Sequence, residues 1–104
     1  MAYIVSKRMA WGAANDPDVV GYRVMWAIPP AVLDKANPQL NLNFSDVGRV
    51  TQINLPLEAM PKIDGELEIA IAAIDDVGNM SDAVGGIFPF DFQAPGSPGM
   101  PYLI

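Results

Sequence analysis

Apolar residues recur at every second position in several short stretches, and a period of two predicts strands rather than helices. "RMAWGAA" places Met9 and Trp11 on one face, and "VVGYRVMWAI" sends Tyr22, Val24 and Trp26 one way and Arg23, Met25 and Ala27 the other. "QLNLNF" alternates at Leu40, Leu42 and Phe44, which predicts a short edge strand with its Asn side chains toward water. "RVTQINLPL" presents Ile53 and Leu55 inward and is closed by Pro56. "ELEIAIAAI" sets Leu67, Ile69, Ile71 and Ala73 against Glu66, Glu68, Ala70, Ala72 and Ile74, and beyond its first residues it is apolar on both faces, as a central strand is. "GGIFPFDF" reads as the last strand. Ala, Leu and Glu also suit a helix, but the isoleucine spacing, the preceding Gly65 and the following "DDVGN" turn favour a strand at residues 66–74.

Turn chemistry separates these stretches. "NDPD" supplies side-chain-capped turn geometry and a fixed φ, Pro29 and Pro30 end a strand because neither can donate to a ladder, and "AMPKIDG" and "DDVGNMSD" are polar connections. Ten prolines and nine glycines cut the chain at the spacing of an all-β sandwich or barrel. No internal repeat is present. At 104 residues the chain is one domain by length and can bury one modest core.

Composition narrows the chemistry. Hydrophobic residues make up 51% and charged residues 17%, with no apolar run near the length of a membrane helix, so a globular chain without membrane insertion is expected. The net charge of −6 and the scattered basic residues argue against nucleic acid as a partner. Cysteine and histidine are both absent. Without them there is no disulfide framework, no Ser-His-Asp or Cys-His triad, no zinc site of the usual ligand set, and no group with an ordinary pKa near 7. No catalytic residue, cofactor or metal is therefore assigned. The first fourteen residues lack the long apolar segment and small-residue cleavage site of a signal peptide.

Three carboxylate or aromatic groupings present themselves as candidate sites. Asp75, Asp76, Asn79 and Asp82 offer oxygen ligands of the type calcium takes, but their spacing is not that of an EF-hand and fits an ordinary hairpin. Asp64, Glu66 and Glu68 could suggest acid-base work on a sugar, yet Glu66 and Glu68 are expected on a solvated outer face. Tyr22 and Trp26 share the expected core face, which leaves Tyr3 and Tyr102 as the freer aromatics for a polysaccharide partner.

In order and spacing, Trp11 followed by "NDPDVVGYRVMW", then "DGELEIAIAAIDDVGNMSD", then "FDFQAP", the chain resembles a fibronectin type III domain of the bacterial kind across about residues 9–95. The resemblance implies an immunoglobulin-like, all-β, seven-stranded antiparallel two-sheet sandwich over residues 1–94, with Trp11 and Tyr22 in its core. It also implies a non-catalytic binding or spacer role, in an extracellular or cell-surface setting. Two departures stand out. Leu67 occupies the place of the family's usual tyrosine, so the tyrosine corner is missing. The family's proline-flanked first strand looks truncated, since only Met1 to Lys7 precede the tryptophan-bearing strand.

The tail, residues 95–104, resembles that missing first strand displaced to the other end of the chain: "APGSPGMPYLI" is proline-flanked and ends on a short apolar strand. Three fates are open to it: a linker to a further domain, a strand folded back onto its own sandwich, or a strand donated to a second copy. Met100, Tyr102 and Ile104 would share one face with Leu103 opposed, which favours docking on itself or on a neighbour. A second candidate surface is the outer face of one sheet, where Met25, Ala70, Ala72 and Ile74 are apolar at positions a soluble monomer usually keeps polar, unless a loop or the tail covers them. The expected function is a structural or protein-interaction module associating with another copy or a flanking domain. An accessory carbohydrate-binding or spacer domain of a secreted enzyme is the alternative.

Overall fold

The computed structural model describes residues 7–62, 64–91 and 96–104. Among them the chain forms strands β1 (Lys7–Ala10), β2 (Val19–Ala27), β3 (Phe44–Gly48), β4 (Gln52–Leu55), β5 (Asp64–Asp75) and β6 (Val84–Asp91), with one 3₁₀ turn at Pro38–Leu40 and no α-helix. The strands make two antiparallel sheets: β1 pairs with β4, and the other four lie in the order β3-β2-β5-β6. The all-β, two-sheet expectation holds. Six strands are described where seven were expected, and the expected truncated first strand, like Tyr3, lies outside the described residues.

The inward rows meet as the period of two requires. Tyr22, Val24 and Trp26 of β2, Leu55 of β4, Leu67, Ile69 and Ile71 of β5 and Phe90 of β6 form one buried cluster with Met60 from the connection between β4 and β5. Trp11 stands edge-on to Tyr22 with ring centroids 5.6 Å apart, and the Ala14 N–H donates to the Tyr22 hydroxyl at 3.0 Å. β5 is the central strand. It pairs with β2 from Val19↔Asp75 to Ala27↔Glu68 and with β6 from Asp64↔Asp91 to Ile71↔Val84.

Residues 38–44 depart from the expected edge strand. Pro38–Leu40 is a 3₁₀ turn, Leu42 is exposed, and pairing with β2 begins only at Phe44. The Asn41 carboxamide accounts for this: its nitrogen donates to the carbonyls of Asp34 and Pro38, both at 3.0 Å, while its oxygen accepts the Asp34 N–H at 2.9 Å. Local side-chain to backbone bonds offer the chain an alternative to a ladder, and here they win over apolar alternation.

The outer face of the larger sheet is covered. The connection between β2 and β3 folds over it and inserts Leu33, which joins Met25, Ala27, Ala70, Ala72 and Ala83 in a second buried cluster, with Met80 packed alongside. Glu68 locks this cover in place. Its carboxylate accepts the Leu33 N–H at 2.6 Å and pairs with Lys35 Nζ at 2.9 Å, and the Lys35 carbonyl accepts the Ala83 N–H at 2.8 Å. The expectation of a solvated Glu68 is thus corrected, as the residue is only 5% exposed. A buried carboxylate persists where it is both hydrogen-bonded and paired. The Leu33 N–H lowers its pKa most; desolvation opposes this, and the Lys35 hydrogen bond and charge add to the lowering.

A candidate strand-accepting groove and an exposed tail

β1 is the outer strand of a two-stranded sheet, so one of its edges faces no described strand. The Trp11 N–H donates to Thr51 O at 2.9 Å, and the β1–β4 register runs Lys7↔Leu55, Arg8↔Asn54, Met9↔Ile53, Ala10↔Gln52. Antiparallel ladders alternate between bonded and non-bonded pairs. The odd-numbered residues therefore bond to β4, and the backbone N–H and C=O groups of Arg8 and Ala10 point to the open edge. Such an edge is a template for another strand.

Beside that edge lies a groove of about 470 Å³, bounded by Lys7–Trp11 of the β1 segment on one side and Val84–Phe90 of β6 on the other, with Leu55, Ile69 and Ile71 as its floor. Its position follows from an imbalance, since two strands cannot cover four. In β6, Val84, Gly86 and Phe88 stand opposite Ile71, Ile69 and Leu67 and so share the core face. Val84 is nonetheless 68% exposed and Phe88 38%, although their β5 partners are buried. Core-facing side chains lie in solvent because, among the described residues, the facing sheet stops at β1. Lys7 spans the groove's end, donating from Nζ to Pro89 O at 3.0 Å with the ammonium 5.3 Å from the Phe90 ring centroid.

The β5–β6 end from which the tail departs carries two facing acids. Asp64 and Asp91 are register partners, and the Asp91 pKa is raised first by a hydrogen bond with the Asp64 carboxyl, then by desolvation and the Asp64 charge, with Lys7 opposing. Beyond it, residues 96–104 make no ladder in this chain. Met100, Tyr102, Leu103 and Ile104 are all at least 84% exposed. The expected short strand at the end of the tail is therefore absent here, and the tail does not fold back to fill its own sandwich. The radius of gyration, 17.0 Å, exceeds the roughly 13 Å of a compact domain of this length, and the long axis reaches 67 Å against 27 and 18 Å for the others. The tail projects.

The eight side chains expected to form interaction surfaces separate into two groups that do not meet. Met25, Ala70 and Ala72 are fully buried beneath the Leu33 connection, and Ile74 is half-buried, bridging to Met80. This corrects the outer-face expectation: a loop covers that surface. Met100, Tyr102, Leu103 and Ile104 remain free. The residues that sequence reasoning passed over are Met9, Val84 and Phe88. Their signal was present in the inward alternation of "RMAWGAA" and "VGGIFPF", but its meaning depends on how many strands face it.

The other groupings resolve into structure. Both oxygens of Asp75 are engaged within its turn: Oδ1 accepts the N–H of Val77 at 3.0 Å and of Asn79 at 2.8 Å, and Oδ2 accepts from Asn79 Nδ2 at 3.1 Å. Tyr22 and Trp26 are buried in the core, so they offer no platform to a sugar. Comparison of the chain with protein-family models, with curated proteins and with solved structures gave no match.

Proposed function

We propose that this chain is a non-catalytic, fibronectin type III-like structural module that assembles head to tail by donating its C-terminal segment to a second copy. The observation that carries the reading is the tail itself. Residues 96–104 hold no charged side chain and end on Met100, Tyr102, Leu103 and Ile104, all in solvent, next to a sandwich whose smaller sheet has an edge unpaired among the described residues. Burying an apolar side chain of this size is worth about 1.5–3 kcal/mol, which a free tail forgoes. A contact between unlike surfaces propagates, either closing a ring or extending a filament. The extracellular or cell-surface setting belongs to the same proposal and rests on the family resemblance alone.

Light scattering on the intact chain and on one ending after Phe92 tests the reading. Oligomers that become monomers on truncation are expected. A monomer in both cases across the accessible concentration range would refute assembly by the tail and return the module to a spacer or polysaccharide-binding role.

A further inference from the structure

The geometry points to the groove between β1 and β6 as the acceptor, with Met100–Ile104 of a second copy lying along β1 as a third strand of the smaller sheet. This rests on the reading that the tail is donated, and it adds where the tail goes and in which register.

Three features of this molecule select that occupant. The first is parity. In a strand, the N–H and C=O of one residue point to the same side and those of the next residue to the other. Pro101 has no N–H, so it fits an added edge strand only when its backbone faces solvent. That orientation turns the backbones of Met100, Tyr102 and Ile104 toward β1, where Arg8 and Ala10 offer their free edge groups. The second is the side-chain face. Laid parallel to β1, the segment sets Met100, Tyr102 and Ile104 between Arg8 and Ala10 rather than opposite them, on the inward face with Met9, so they enter the groove together and cover Val84, Phe88 and the floor formed by Ile69 and Ile71. Leu103 is left on the outer face with Arg8 and Ala10.

The third feature is size and charge. An extended five-residue segment spans about 17 Å, comparable with the Lys7–Trp11 wall it would lie against. A segment without charged side chains brings no side-chain ion of its own onto the apolar floor, and Tyr102 can keep its hydroxyl at the open rim. The occupant comes from another molecule because the chain's own Met100, Tyr102, Leu103 and Ile104 lie in solvent and form no ladder here.

Complementation between two full-length variants tests this. Ala10→Pro removes the edge donor without touching the β4 ladder, and Val84→Glu puts a charge at an exposed groove position; either should disable the acceptor and leave the donor intact. Tyr102→Asp with Ile104→Asp disables the donor and leaves the acceptor. Each variant alone should be monomeric by light scattering, circular dichroism should show native strand content in all, and an equimolar mixture of donor-defective and acceptor-defective chains should give a one-to-one heterodimer that grows no further. Assembly of both acceptor variants at wild-type levels, with the tail variant monomeric, would overturn the groove while leaving tail donation standing. Monomeric acceptor variants that fail to pair with the tail variant would also overturn the groove. A wild-type chain that stays monomeric would overturn both.

Discussion

Replacing Glu68 by alanine should release the cover over the outer face of the larger sheet. Two interactions are lost. The Leu33 N–H, now bonded at 2.6 Å to a carboxylate only 5% exposed, is left without an acceptor, and an unsatisfied buried donor costs about 1–3 kcal/mol. The Lys35 ammonium is 41% exposed, so losing that pair adds only about 0.2–1 kcal/mol. The expected total is about 1–4 kcal/mol, or a drop of roughly 5–20 °C in Tm for a domain of this size. Glu68→Gln keeps an oxygen for Leu33 and loses only the ion pair, so it should cost about 1 kcal/mol or less. The assay is urea unfolding of the wild type and both variants, with dye binding to report exposure of Met25 and Ala70. The pH dependence has a definite sign. The folded-state pKa of Glu68 lies below its unfolded value, so the stability it contributes is fully present above the unfolded pKa and is lost as pH falls through the folded one. The gap between wild type and Glu68→Gln should therefore close on acidification. An alanine variant within about 0.5 kcal/mol of wild type, or alanine and glutamine variants equally destabilised, would refute the role assigned to the Leu33 bond.

Two further substitutions probe the same framework. Gly85→Ala should destabilise by at least about 1–3 kcal/mol in urea unfolding, because a Cβ there would overlap the Ile69 carbonyl oxygen and come within 2.6 Å of Ala70 Cα; a neutral result would mean that β6 can shift away from β5 at no cost. Met25→Ala should cost about 2–4 kcal/mol, as truncation at a fully buried position does, whereas a change near zero would mean that the Leu33 connection does not cover this face in solution.

The strands were legible in the chain because a period of two is a local property. Tyr22, Val24 and Trp26, and likewise Leu67, Ile69 and Ile71, face inward wherever their strands lie, so the core rows and the central place of β5 follow from the residues alone. Polar residues that work at a distance were not legible. Glu68 reads as solvated until Leu33, 35 positions away in sequence, is laid against it. Asn41 reads as an exposed strand residue until its carboxamide is seen tying Asp34 to Pro38.

The interaction surfaces divide along the same line. The apolar alternation of the tail alone marked Met100, Tyr102, Leu103 and Ile104 as side chains expected to dock, and composition excluded the chemistry of histidine and cysteine. Only the tertiary structure decided that Met25, Ala70 and Ala72 are covered and that Val84 and Phe88 are not. Alternation states which face a side chain takes, but whether that face is buried depends on which other segment reaches it, and among the described residues four strands are met by two.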